Sequence, residues 1–123
     1  MRKFQDLEIW KRSHSLTLQI YQITQKSFPK DELFALTSQI RRASSSIPTN
    51  IAEGCGRKSN AELLRFLQIA SGSATEVEYQ LLLAKDLNYL SNDEYDNLNA
   101  QVIEIRKMIT GFSKNIPCTS ARA

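Results

Sequence analysis

Cysteine, histidine, glycine and proline are all scarce in this chain, and each scarcity closes off a class of chemistry. Two cysteines, Cys55 and Cys118, match no paired metal spacing and are too few for a disulfide framework, so both read as reduced bystander thiols. The one histidine, His14, leaves a Ser-His-Asp triad and a multi-histidine metal site without partners, and it reads instead as a core or interface residue. Four glycines and three prolines in 123 residues favour long helices. No apolar run exceeds that of Leu81-Leu82-Leu83-Ala84, and the opening Met1-Arg2-Lys3-Phe4 meets charge at once. Neither a membrane span nor a secretory leader is therefore expected, and the cytoplasm is the expected location. Charge of one sign is also modest, at +3 net, but it is unevenly placed. Through residue 65 there are eleven Lys/Arg against six Asp/Glu, and beyond it five against seven. A basic N-terminal half points to a polyanion partner, against the alternative that these side chains only solvate helix faces.

What is present is helical period, in a length that suits one domain. The first helix is expected from about Gln5 to Lys26, stopping at Ser27-Phe28-Pro29 because the residue before proline is pushed out of the helical region. It carries two apolar stripes: Ile9, Leu16, Ile20 and Ile23 on one face, and Leu7, Trp10, His14, Thr17, Tyr21 and Phe28 on another. One face suffices for a bundle core, so the second stripe predicts self-association through Leu7, Trp10, His14 and Tyr21, unless the helix is simply buried on two sides.

The second helix is expected from near Lys30, with Leu33, Leu36, Ile40, Ala43 and Ile47 at heptad spacing. Pro48 lacks an N–H and its ring crowds the carbonyl of Ser44, so a kink is expected there, with the freed carbonyls near Ser44 and Ser45 met by hydroxyls or water. A true break, with Ser46 or Ile47 opening a new short helix, is the alternative. Gly54 and Gly56 are expected to close the helix as left-handed stop residues. Ser59-Asn60-Ala61-Glu62 and Ser91-Asn92-Asp93-Glu94 read as capping boxes that open the third and fourth helices. The third, with Leu63, Leu67, Ala70, Ala74, Val77, Leu81 and Ala84, is expected to reach about Asn88. Within it, Ser71-Gly72-Ser73-Ala74 predicts close approach of the second helix, since an interior glycine costs ~1 kcal/mol relative to alanine. The fourth carries Tyr95, Leu98, Val102, Ile105, Ile109 and Phe112. The expected fold is all-α, an antiparallel up-down four-helix bundle over residues 1–114, with a disordered tail over 115–123.

No catalytic set emerges. Gly54-Cys55-Gly56-Arg57-Lys58-Ser59 ends like a phosphate loop, but Arg57 stands where the second glycine is needed and no strand precedes it. Glu53, Glu62, Glu76 and Glu78 lack the Glu-x-x-His pairs of carboxylate-bridged metal bundles. No enzyme activity, metal, cofactor or small-molecule substrate is expected. The remaining candidates are cations: Arg57 and Lys58 in the loop after the second helix, Arg65 two turns into the third, and Arg41 and Arg42 before the kink. Such a set can contact phosphate without reading sequence.

The run Ile47-Pro48-Thr49-Asn50-Ile51-Ala52-Glu53-Gly54, then Gly56-Arg57, with Leu36 to Ala43 upstream and Glu62, Phe66-Leu67, Ile69 to Ser73 and Glu76 downstream, resembles a family. It is similar to the four-helix-bundle proteins encoded in intervening sequences of bacterial large-subunit ribosomal RNA genes. The resemblance covers residues 3 to 112 and implies a ring-like homopentamer with first-helix aromatics in the subunit contacts. A similar bundle serves as the accessory variability protein of diversity-generating retroelements, which is likewise pentameric and basic and binds nucleic acid. The expected function is a non-enzymatic homo-oligomer that binds RNA or DNA through a basic surface. The alternative is a structural or interaction scaffold with a protein partner.

Overall fold

The computed structural model describes residues 2–117. A short 3₁₀ turn, Phe4–Asp6, leads into α1 (Glu8–Ser27), and a second, Lys30–Glu32, precedes α2 (Leu36–Cys55). Two further helices, α3 (Asn60–Asp86) and α4 (Asn92–Lys114), complete the chain, and no strand occurs among the described residues.

Local chemistry sets most of these boundaries. α1 stops where Phe28, held extended at φ −80° and ψ 140°, meets Pro29. At the start of α3 the Ser59 hydroxyl accepts the Glu62 N–H at 3.2 Å, but Glu62 does not reach back, so only half of the expected box forms. Ser91 has both halves, accepting from the Glu94 N–H at 3.1 Å while the Glu94 carboxylate accepts from the Ser91 N–H at 2.9 Å. α3 ends at Asp86, short of the expected Asn88, which takes the left-handed φ of 66° that asparagine tolerates.

The start of α2 corrects the sequence expectation. The segment from Lys30 makes a 3₁₀ turn, and Ala35 at φ −125° and ψ −107° separates it from the helix. Leu33 is thereby left off the core stripe at 46% exposed, and Phe34 stands 92% exposed. Glu32 fixes the arrangement: its carboxylate accepts the Leu36 N–H at 3.2 Å, as an N-cap would, and the Tyr89 hydroxyl at 2.7 Å. With Phe28 packed on the Tyr89 ring at 5.4 Å, this ties the α1–α2 connection to the α3–α4 turn.

Each helix packs on the next, and α4 closes against α1. Cross-helix contacts show each neighbour running antiparallel. Thr17 bonds Ser44 and Thr24 bonds Arg41; Ser46 meets Ser73 while Gly54 faces Leu63. Glu78 pairs with Arg106 while Lys85 lies over Tyr95. On the fourth side the amides of Gln19 and Gln101 bond each other at 2.8 and 3.0 Å, and Glu8 and Glu104 line one cleft toward the N-terminus of α1. Leu16, Ile20, Ile40, Ile47, Leu67, Leu81 and Ile105 form a closed core, joined after α4 by Ile116. The rest of the expected tail, 118–123, lies outside the described residues.

α2 runs unbroken through Pro48, which overturns the alternative of a new helix at Ser46 or Ile47. The carbonyl that Pro48 leaves without its helical donor is that of Ser44. It accepts instead from the Thr17 hydroxyl of α1 at 3.0 Å, so a neighbouring helix supplies the missing donor.

The glycines exchange their expected roles. Among the described residues no glycine has positive φ, and Gly56 is helical at φ −85°, so neither Gly54 nor Gly56 is a left-handed stop. Gly54 is instead the close-approach residue: a Cβ there would meet Leu63 Cδ1 at 2.9 Å and Phe66 Cβ at 3.1 Å. Gly72, expected against α2, is exposed with nothing within 4 Å of a Cβ, and Ser73 makes the α2 contact through the Ser46 hydroxyl at 2.8 Å.

Candidate nucleic-acid interface

Because the helices alternate in direction, the α2–α3 loop shares one end of the bundle with the start of α1 and the finish of α4. The midplane passes through the Thr17–Ser44 and Ser46–Ser73 contacts. The half holding residues 2–17, 46–73 and 104–117 carries ten Lys/Arg and five Asp/Glu, and the half holding 18–45 and 74–103 carries five and eight. The fold therefore converts a mild asymmetry along the chain into a polarity from end to end, basic at the α2–α3 loop and acidic at the opposite end.

The structure distributes the predicted cations unevenly over this frame. Arg57 and Lys58 stand exposed together at the basic tip. Arg57 lies over the Phe66 ring at 4.8 Å and pairs with Glu53 at 3.2 Å, an exposed i,i+4 contact that holds it only weakly. Lys58 has no ion pair among the described residues. Arg65 is exposed on the outward side of α3, away from the loop. Arg42 lies in a cleft between α2 and α3 beside Gln39 and Glu76. Arg41 knits α1 to α2: its Nε donates to the Thr24 hydroxyl at 2.9 Å, and its guanidinium covers the Tyr21 ring at 4.8 Å. Sequence reasoning passed over Arg2 and Lys3 and expected Lys107 and Lys114 to matter less than the loop cations, because only the topology brings the chain's two ends to the α2–α3 loop.

The second stripe of α1 divides. Thr17 and Phe28 are buried within the subunit, whereas His14 and Tyr21 are exposed and Leu7 and Trp10 half-buried. His14 stacks on Trp10 at 4.8 Å with an interplanar angle of 10°, and Phe4 packs edge-on to Trp10 at 5.1 Å. Trp10, His14, Pro48, Ala52, Glu53 and Arg57 line an open groove of about 800 Å³ between α1 and α2.

Among the described residues no three of His, Cys, Asp and Glu converge on a metal-sized site. Glu53 pairs with Arg57, Glu78 with Arg106 at 2.7 Å, and Glu76 accepts from the Gln80 amide at 3.3 Å. Cys55, expected in a turn, is the last residue of α2 and is buried; burial pushes its thiol up from the ordinary value, partly offset by Arg2. It is a poor nucleophile at neutral pH. Cys118 lies outside the described residues, and no described helix is long and apolar enough to cross a membrane.

A family model described as 23S rRNA-intervening sequence protein matches residues 5–111. The chain belongs to that family. It is also similar to a solved structure, a protein of unknown function from the S23 ribosomal protein family of Bacteroides thetaiotaomicron. The two share 27% identity over 87% of this chain and 96% of that one, with a TM-score of 0.81. No curated protein matches the chain. In this member of the intervening sequence family the motif from Ile47 to Gly54 has a physical role. Ile47 and Ile51 are fully buried, Pro48 leaves a carbonyl for Thr17, and Gly54 admits Leu63 and Phe66. The motif thus encodes helix packing, and its outward residues Pro48, Thr49, Ala52 and Glu53 line the α1–α2 groove, where the Glu53 carboxylate is paired with Arg57.

Proposed function

We propose that the protein is a non-enzymatic, self-associating bundle that binds nucleic acid through its basic end. The end-to-end charge polarity carries this reading, with Arg57 and Lys58 exposed at its tip. Phosphate contacts of this kind fix position rather than sequence, so affinity for RNA or duplex DNA should be sequence-tolerant and salt-sensitive. Self-association through the α1–α2 groove, five copies in the ring implied by the family resemblance, multiplies a weak single-copy contact.

Binding to a generic RNA hairpin and to duplex DNA should fall steeply between roughly 50 and 200 mM salt. The double change Arg57→Glu and Lys58→Glu should weaken it at least about tenfold with helicity unchanged, since it reverses two phosphate-facing charges in every copy. The same reversal at Lys26 and Lys30, in the acidic half, should matter less. Absence of binding at low salt, or a double variant that binds like wild type, rules the reading out. Phe34, 92% exposed on a turn, then favours the scaffold reading, with a protein partner seated over it.

Assembly has its own test. Trp10→Asp should reduce the mass in light scattering to that of a smaller species without loss of helicity, because a carboxylate that stays wet in the half-buried monomer site is dehydrated in a subunit contact. An unchanged mass removes the α1–α2 groove from the assembly.

A further inference from the structure

α3 presents an outward line that nothing in the subunit covers. Its buried residues Leu63, Leu67, Ala70, Ala74, Val77, Leu81 and Ala84 face the core. At about 100° per residue, the line directly opposite is Arg65, Gly72, Tyr79 and Asp86, at seven-residue intervals. Of the large apolar side chains left exposed, Ile69 at 42%, Tyr79 at 61% and Leu82 at 41% lie on or beside this line. Gly72 sits in a helix interior, where it costs about 1 kcal/mol relative to alanine, yet a Cβ there would meet nothing within 4 Å. Asp86 ends the helix, where the macrodipole disfavours an anion. Neither Arg65 nor Asp86 has an ion pair among the described residues.

Reversed end for end, the line complements itself. We infer that this outward face of α3 docks on α3 of a second copy, antiparallel about a twofold axis between Thr75 and Glu76. In that register Tyr79 of each copy lies over Gly72 of the other, and the absent side chain makes the space its ring fills. Arg65 of each copy reaches Asp86 of the other, giving a cation to a carboxylate that has no ion pair of its own among the described residues. Ile69 and Leu82 flank the crossing on either side. Each of these features acquires a partner, and the contact is isologous, so taken alone, with the groove contact removed, it closes at two copies. The inference stands apart from the α1–α2 groove, since α1 and α3 are diagonal in the bundle and share no packing contact.

The full chain should be tested in the Trp10→Asp background, where the groove contact is removed, by sedimentation equilibrium. A dimer is expected to remain. Gly72→Arg should convert it to monomer while helicity is kept, because arginine is the better helix former and has open space in the subunit. Arg65→Asp and Asp86→Arg should each weaken pairing about tenfold or more, and the two together should restore it, as expected of a close interfacial charge pair. A monomer in the Trp10→Asp background, a dimer that survives Gly72→Arg, or a double exchange as weak as either single change overturns the inference. None of these outcomes bears on nucleic-acid binding through Arg57 and Lys58.

Discussion

Gly54→Val should lower the unfolding free energy by about 3 kcal/mol, toward the upper end of what overpacking a dense contact costs. The new Cβ would lie 2.9 Å from Leu63 Cδ1 and 3.1 Å from Phe66 Cβ. The methyl of Leu63 can rotate away, but Phe66 Cβ is fixed to the α3 backbone, so α2 and α3 must separate at their joined end. Valine adds two methyls beyond that atom and a branched side chain unfavourable in a helix. Gly111→Ala provides the contrast: nothing lies within 4 Å of its Cβ, and stability should rise by about 0.5 kcal/mol through helix propensity alone. Chemical denaturation of the two variants measures the difference. If Gly54→Val is tolerated within about 1 kcal/mol, the close approach of α2 and α3 is not the reason for glycine there.

Sequence reasoning placed Gly54 and Gly72 the wrong way round. Both residues are visible as glycines in helical segments, but what stands opposite each depends on helix direction and rotation, which emerge only when α2 and α3 pack. Signals confined to a few adjacent residues fared better. Ser-x-x-Glu at Ser59 and Ser91, Pro29 after Phe28, and the three-and-four spacing of Leu63 to Ala84 all mark helices whose start, stop or buried face the structure reproduces. The heptad reading of Leu33 failed because a local pattern cannot register Glu32, whose carboxylate starts α2 four residues on while holding Tyr89 from across the bundle.

Charge followed the same division. The excess of cations through residue 65 is legible in the chain, yet the basic end also draws on Arg106, Lys107 and Lys114 from the acidic half of the sequence. Arg41, counted among the phosphate contacts, turns to α1 because Tyr21 and Thr24 happen to face it across the packed helices. The fate of a surface arginine depends on its neighbours in space, which sequence spacing supplies only within one helix.

Thr17→Val should cost about 2 kcal/mol, because it removes the hydroxyl that donates to the Ser44 carbonyl and leaves a buried acceptor with no partner. The shape of the side chain is kept, and Thr17 and Ser44 are both buried, so water has no ready access to replace the bond. The cost should depend on Pro48. In a Pro48→Ala background the alanine N–H can donate to Ser44 in the ordinary helical manner, and the hydroxyl of Thr17 becomes dispensable. A double-mutant cycle over Thr17→Val and Pro48→Ala should then give a coupling of about 1.5 kcal/mol, with Thr17→Val nearly neutral once the proline is gone. Pro48→Ala by itself confounds two effects: it adds a backbone donor, and it removes a buried ring that also lines the groove beside Trp10 and His14. The cycle cancels that packing loss, since it appears in both backgrounds. Equal costs for Thr17→Val with and without the proline would mean that the hydroxyl serves only its own helix, through the Ser13 carbonyl at 3.0 Å, and that α1 has no part in accommodating Pro48.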